Sequence, residues 1–200
     1  MIVDTLKELY RIFHQLEDSL FQIKMEEPVI LIQSSKKKIL GTCSVNKDWS
    51  NKTDEKKEKY EITISAESLK RPVDEIVETL LHEMVHLYCS LNDIKDTSNN
   101  FVYHNKKYKE EAEKRGLEVT HQQTVGYAIT KLKPETVTLI KSFNINESLF
   151  DYYKKPYMGG LGKKVVYNKY GCPDCSVKIS TYKKVNLICG DCNKPLELRN

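Results

Sequence analysis

Residues 80–87 are Leu-Leu-His-Glu-Met-Val-His-Leu, and they lie within a longer segment, 73–91, in which apolar residues recur every three or four positions. This spacing is typical of a helix that buries a broad face. Pro72 suits the first position of such a helix, and Asp74 and Glu75 place negative charge near its N-terminus, which the helix dipole favours. The sequence therefore predicts a long helix packed against the core.

His82 and His86 are four residues apart on this predicted helix, so their side chains share one face and can bind the same metal ion. Glu83 lies beside them, where a carboxylate can accept a proton from a water molecule at the metal. This is the H-E-x-x-H arrangement of zinc hydrolases, and it makes Glu83 the candidate catalytic base. The competing interpretation is a pair of packing histidines on a buried helix.

A catalytic zinc ion usually has three protein ligands and one position open to water, so a third ligand is expected. The metzincin pattern does not fit, because Leu87, Tyr88 and Cys89 follow His86. From the residues alone several candidates for the third ligand remain open: His104, His121, Glu110, Glu111 and Glu113.

Four of the six cysteines form two C-x-x-C pairs near the end of the chain, separated by 13 residues. The pairs are Cys172 with Cys175 and Cys189 with Cys192. This spacing is typical of a structural zinc site, in which four thiolates close the coordination sphere. Short strands are predicted before each pair, at 165–167 and 185–188.

Positive charge is concentrated in the same part of the chain. The net charge is +4, but residues 121–200 contain 13 Lys and Arg against 6 Asp and Glu. Lysines can pair with phosphates and tyrosines can stack on unpaired bases, so DNA or RNA binding is predicted here; a solvated lysine surface is the alternative. The candidate contacts are Lys163, Lys164, Lys169, Lys178, Lys183 and Lys184, with Tyr167, Tyr170 and Tyr182 between them.

The remaining patterns predict an α+β fold: a small antiparallel sheet packed with the H-E-x-x-H helix and its neighbours, as in zincins, followed by a small four-cysteine zinc ribbon. Thr5-x-x-Glu8 is typical of a capping box that opens the first helix. Predicted strands lie at 29–32, 38–45 and 60–65, and further helices at 104–115 and 134–143, whereas 117–132 is ambiguous. The expected domains are residues 1–150 and 163–200, joined by a linker at 151–162.

The sequence contains no apolar run of roughly 20 residues, the length needed to span a bilayer. Its first residues carry acidic side chains and do not follow the basic-then-apolar pattern of a signal peptide. A cytoplasmic location is the expectation.

The order of these motifs resembles the SprT-like family of zinc metallopeptidases, which includes the Spartan proteases. The resemblance covers Leu40-Gly41-x-Cys43, Ile62–Ser65, Thr79–His86, His104-x-x-x-Tyr108 and the terminal ribbon. Asn105 and Tyr108 stand where the family usually has Gly and Phe. The resemblance implies that His104 is the third ligand of a catalytic zinc ion.

The resemblance also implies peptidase action on proteins bound or crosslinked to DNA, since Spartan-type relatives cleave such proteins. Two zinc ions are then expected, one catalytic and one structural in the ribbon. An alternative function is a nucleic-acid-binding adaptor with an idle peptidase-like domain. A third is a zinc hydrolase that acts on a small amide.

Overall fold

A computed structural model of the chain describes residues 2–35, 39–54, 57–155 and 166–199. The chain divides into two units, Met1–Pro156 and Tyr157–Asn200. Residues 156–162 of the predicted linker, and two of the predicted nucleic-acid contacts, Lys163 and Lys164, lie outside the described residues.

The first unit is α+β, and its described part contains four α-helices and three small sheets, one of which is the two-stranded β3–β4 pair. The helices are α1 (Ile2–Leu16), α2 (Val73–Leu91), α3 (Lys106–Lys114) and α4 (Pro134–Ser142). The strands are β1 (Val29–Gln33), β2 (Gly41–Cys43), β3 (Trp49–Ser50), β4 (Glu58–Lys59), β5 (Glu61–Ser65), β6 (Thr97–Ser98), β7 (Tyr103–His104), β8 (Leu117–Gln122) and β9 (Gly126–Leu132). A π-helical turn, Glu17–Phe21, continues α1, and 3-10 turns occupy Ser68–Lys70 and Glu147–Phe150.

The sheet beside α2 has the strand order β1-β5-β2. Strand β5 pairs with β2 in antiparallel fashion but with β1 in parallel. The prediction of an antiparallel sheet is therefore wrong for one of its two pairings. The reason is the long connection from β1 to β5, which passes through β2 and the β3–β4 pair and lets the chain return in the same direction, as a parallel pair requires.

The second sheet has the order β6-β7-β9-β8. The ambiguous segment 117–132 forms its antiparallel β8–β9 pair. The short β6–β7 hairpin joins the other side, where His104 pairs in parallel with Gly126. This arrangement brings the end of β7 close to α2, which is how the sheet positions His104.

The core of the first unit lies between α1, α2 and the β1-β5-β2 sheet. Buried side chains recur on α2 with the predicted helical spacing, and strand β5 buries Ile62 and Ile64 on alternate positions. The fully buried members of the core include Leu9, Ile12, Phe13 and Leu16 of α1 and Ile76, Leu80, Leu81 and Met84 of α2. The predicted long helix is therefore confirmed, and its polar positions are held rigidly by this packing.

Two predicted helix starts are wrong. The Thr5–Glu8 pair lies inside α1, where the Thr5 hydroxyl donates to the Leu149 carbonyl and Glu8 pairs with Arg11. The helix begins at Ile2, and these two side chains bond to groups distant in sequence, Thr5 to the Leu149 carbonyl and Glu8 also to the Asn146 N–H.

Helix α3 begins after Asn105, whose side chain accepts hydrogen bonds from two backbone N–H groups in the first turn of that helix. His104 is therefore on a strand and not on the predicted helix.

The second unit contains β10 (Asn168–Gly171), β11 (Lys178–Thr181) and β12 (Glu197–Arg199) in an antiparallel sheet with β10 in the middle. The predicted strand at 165–167 lies partly outside the described residues, and its described positions, 166 and 167, precede β10, which begins at Asn168. The predicted strand at 185–188 is wrong, because this segment forms only an isolated bridge, Ile188 with Pro195. Backbone hydrogen bonds around the second cysteine pair occupy this segment instead, as in Leu196 N–H to Leu187 O.

Within the described ranges, none of the helices combines the length and apolarity required to cross a bilayer.

Candidate metal centre and active cleft

Three histidines converge in the first unit. His82 and His86 project from adjacent turns of α2, and His104 approaches them from β7. The Nε2 atom of His104 lies 3.2 Å from that of His82 and 2.9 Å from that of His86. Three imidazole nitrogens on a tetrahedral zinc ion lie about 3.3 Å from one another. The spacing of the three rings therefore fits one metal ion, and these residues form a potential metal-binding group.

Outer partners orient two of the three rings. The Nδ1 atom of His86 lies 2.5 Å from a carboxylate oxygen of Asp96, so this nitrogen is the donor and Nε2 presents its lone pair to the centre. On the other side, the Thr130 hydroxyl donates to Glu78 and lies 3.4 Å from Nδ1 of His82. A carboxylate behind a ligating histidine fixes the ring and raises its basicity, which suits metal binding.

Burial favours the neutral form of two of these histidines, His82 and His104. The pKa of His82 lies well below its usual value of 6.5, and the pKa of His104 is lowered to about 4, chiefly because burial penalises the charged ring. Positive charge on His86 would lower both values further. Neutral imidazole is the form that binds a metal, so the site is ready for a cation at neutral pH.

Glu83 is buried beside these ligands. Burial raises the pKa of its carboxyl from 4.5 to about 7, while the backbone N–H of Cys43 donates to the carboxylate and partly offsets that rise. A carboxyl with a pKa near the working pH can accept a proton and release it again. This environment is compatible with proton uptake and release near neutral pH, the property that a general base needs.

Strand β2 lies very close to Glu83. A Cβ atom added at Gly41 would lie 2.9 Å from Oε1 of Glu83 and 2.8 Å from the Thr79 methyl group. Real Cβ atoms essentially never lie this close to another heavy atom, so a larger residue at position 41 would displace the side chains of Thr79 and Glu83 or the strand itself. Strand β2 therefore holds Glu83 in two ways. The absence of a side chain at Gly41 leaves space for its carboxylate, and the Cys43 N–H donates a hydrogen bond to it.

An open cleft of about 390 Å³ leads to these groups. One wall comes from residues 41–45, and the other from the connection between α2 and α3. His82, Glu83, His86 and His104 line its floor. The cleft has room for an extended segment of a substrate next to the metal position.

The other residues considered as third ligand lie elsewhere. His121 contacts the Tyr103 hydroxyl, at 3.1 Å. Glu111 pairs with Lys114 and Arg115, and Glu113 with Lys109. Glu110 is absent from both metal-binding groups found among the described residues.

Tyr103 and Tyr108 lie near His104 in the sequence, but neither lines the cleft beside the three histidines. Tyr108 is fully buried, and its ring stacks on His86 at a centroid distance of 4.6 Å. Tyr103 directs its hydroxyl to His121. Both act in packing: Tyr108 supports the floor of the metal site and Tyr103 supports the β7–β9 region.

The second unit brings together the four cysteine sulfurs, all within 4.8 Å of one another. Sγ of Cys175 lies 3.7 Å from Sγ of Cys189, close to the spacing of about 3.8 Å for two thiolates on a tetrahedral zinc ion. Burial disfavours ionisation of Cys172, but N–H groups of Asp174 and Cys175 outweigh it and lower its pKa to about 7. This group fits a closed, structural metal site.

The basic surface of the second unit is only partly as predicted. Lys169, Lys178, Lys183 and Lys184 are exposed. Tyr167 and Tyr182 form an exposed pair with ring centroids 4.7 Å apart. Tyr170, however, is buried, and its hydroxyl accepts the Val185 N–H, so its role in that unit is structural.

Sequence reasoning missed Asp96 and Thr130 as partners of the metal-site histidines. The one available signal for Asp96 was an acidic residue between the H-E-x-x-H helix and His104. Thr130 offered no signal, because its position depends on the β8–β9 pair that the sequence left ambiguous.

A sequence model of the SprT-like family matches residues 9–123, a segment that includes the three histidines, Glu83 and Asp96. Neither the curated proteins nor the solved structures contain a match to the chain.

Proposed function

The chain belongs to the SprT-like family, and on that premise we propose that it is a zinc-dependent metallopeptidase. The observation that carries the proposal is the convergence of His82, His86 and His104 on one point, with the buried carboxyl of Glu83 beside it. Histidines that served only in packing would not be expected to direct three Nε2 atoms toward one point. Two neutral nitrogens at 2.9 Å attract each other only if a proton or a cation lies between them.

Each residue then has a distinct task. His82, His86 and His104 would hold the metal, and a zinc ion there supplies Lewis-acid chemistry for the polarisation of a peptide carbonyl. Glu83 accepts a proton from the attacking water at its carboxylate and returns it to the nitrogen of the departing amine. Asp96 keeps His86 in one tautomer throughout, and strand β2 keeps Glu83 in place.

The test is digestion of casein by the zinc-loaded wild-type protein and by Glu83→Gln, each with and without single-stranded DNA. Glu83→Gln keeps the size of the side chain, so it should retain the metal. Loss of a general base costs about 10²- to 10⁴-fold in rate. Equal digestion by both proteins, or none by either while both carry zinc, would instead favour the adaptor with an idle site.

We further propose that the second unit is a zinc ribbon that binds nucleic acid and brings the peptidase to proteins bound or crosslinked to DNA. The exposed lysines and the Tyr167–Tyr182 pair support this, because ammonium groups pair with phosphates and exposed rings stack on bases. Fluorescence anisotropy with a labelled oligonucleotide tests it. Tyr182→Ala should weaken binding, and the affinity should fall as the salt concentration rises. An affinity that changes neither with the substitution nor with salt would contradict this role.

A further inference from the structure

Phe101 is an exposed aromatic residue on the wall of the cleft. It is 61% exposed, and it lines the same cleft as the three histidines and Glu83. Val45, which is 44% exposed, lines the cleft from the side of β2, and Ile94 lines it with its inner part packed against the core. Three apolar side chains from two different walls are therefore presented to the space beside the metal position.

The backbone at Phe101 is unusual. Asn99, Asn100 and Phe101 have φ values of +50°, +52° and +67°, and the Val102 N–H bonds to the Asn99 carbonyl. Asn100 and Phe101 are the central residues of this turn, which lies within the four-residue connection between β6 and β7. A turn with positive φ at both central residues is of type I′, in which Gly, Asn and Asp predominate. Here Asn is present, but a phenylalanine stands where glycine is preferred. For a bulky residue such a conformation is an outlier, and strained positions of this kind cluster at functional sites.

The hairpin that carries Phe101 is tied directly to the metal centre. Asp96, the partner of His86, immediately precedes β6, and His104 ends β7. The Asn105 N–H bonds to the Asp96 carbonyl and closes the base of the hairpin. The position of Phe101 is thus fixed relative to the ligands, as a residue that determines specificity requires.

We propose that Phe101, Val45 and Ile94 form an apolar subsite that receives an apolar side chain of the substrate, of the size of leucine or phenylalanine, next to the bond that is cut. The inference rests on the proposed peptidase function. Its chemistry is simple: an apolar side chain that enters this space removes its own surface and that of Phe101 from water. Peptides with small or charged residues at this position gain nothing from these contacts.

The test uses two ligands that share one metal-binding group, acetohydroxamate and 3-phenylpropanohydroxamate, in calorimetric titrations of the zinc-loaded full-length protein. Wild type should bind the phenyl compound about tenfold more tightly, the usual range for an apolar pocket. Phe101→Gly should reduce this preference to about twofold or less. Glycine adopts positive φ without strain, so this variant should be at least as stable as wild type.

Val102→Ala is the matched control. Val102 is the next residue of the same connection and is 59% exposed, but it lies outside the lining of the cleft. The control should keep the wild-type preference. A preference that persists in Phe101→Gly, or that is equally lost in Val102→Ala, would overturn the subsite.

The outcomes separate the subsite from the proposed function. If both hydroxamates bind but the phenyl group gives no advantage to wild type, the subsite is wrong and the metal centre stands. If neither binds, the metal centre itself is wrong and the subsite falls with it. As a second readout, the casein cleavage sites of wild type, mapped by mass spectrometry, should be enriched in large apolar residues at one fixed position. Phe101→Gly should lose that enrichment.

Discussion

At the scale of single residues, burial moves two kinds of side chain toward neutrality at once. It lowers the pKa of His82 and His104 and raises the pKa of Glu83 to about 7. The penalty for a buried charge acts on the positive form of an imidazole and on the negative form of a carboxylate. One apolar environment therefore shifts the pKa values of both the proposed metal ligands and the proposed base in the direction that their roles require.

Asp96 should matter for the metal and not for the fold. Asp96→Asn keeps the shape of the side chain but removes the charge that faces Nδ1 of His86. Loss of such a partner typically costs about 10- to 100-fold in metal affinity or activity. Competition with a zinc indicator measures the affinity. Asp93→Asn, an exposed change nearby, is the control, and equal affinities for the two variants would contradict a positioning role for Asp96.

The lowered pKa of His104 predicts how the metal-free first unit responds to acid. An unfolded chain takes up a proton near pH 6.5, whereas folded His104 resists it down to about pH 4. The contribution of His104 to the free energy of unfolding is therefore at its full value above pH 6.5, and it decreases as the pH falls from 6.5 toward 4. Trp49, the one tryptophan of the chain, lies in the first unit and reports its unfolding.

The measurement is the urea midpoint of chelator-treated protein at pH 7 and pH 5, followed by Trp49 fluorescence. Wild type should lose stability at the lower pH, and His104→Gln should lose less. An identical loss in both proteins would show that His104 contributes nothing to the acid sensitivity.

At the scale of elements, the site depends on how closely strand β2 approaches helix α2. Gly41→Ala introduces a Cβ atom only 2.9 Å from Oε1 of Glu83. The side chain of Glu83 must shift, and a displacement of about 1 Å in a catalytic group can cost on the order of 10²-fold in rate. The histidines are untouched, so zinc content should stay at the wild-type level while casein digestion falls. Gly190→Ala is a matched control, since nothing lies within 4 Å of its added Cβ.

The sequence predicted correctly those elements whose structure depends on residues close to one another in the chain. Helix α2 follows from the spacing of its apolar residues, and the facing of His82 and His86 follows from the geometry of that helix. The parallel β1–β5 pairing could not be predicted in this way, because it depends on the route of a long connection. The capping box failed for a related reason: Thr5 found a partner 144 residues away in the chain.

The same distinction applies to the site. Residues within a motif could be named from the sequence, whereas Asp96 and Thr130 act through contacts that exist only after the β6–β7 hairpin and strand β9 are in place. The placement of His104 needed the family resemblance, since spacing alone left it equal to His121. The role proposed for Phe101 could not be predicted from the sequence, because it depends on the positive φ of this residue and on its position at the cleft.

At the scale of the whole molecule, the chain combines two donor sets with different chemistry. Three histidines would leave one coordination position of a zinc ion open, as in catalytic sites, whereas four cysteines would close the coordination sphere. Reactivity is therefore expected in the first unit and metal-dependent stability in the second, which is too small to rely on its apolar core alone.

The central claim is that His104 completes a metal site on α2, and metal analysis of purified protein by mass spectrometry tests it most directly. Wild type should contain two zinc ions per chain, and His104→Ala and Cys172→Ser should each contain one. The zinc retained by His104→Ala should be released by a thiol-modifying reagent, since only cysteines would hold it. A His104→Ala protein that keeps two zinc ions with full affinity would contradict the account.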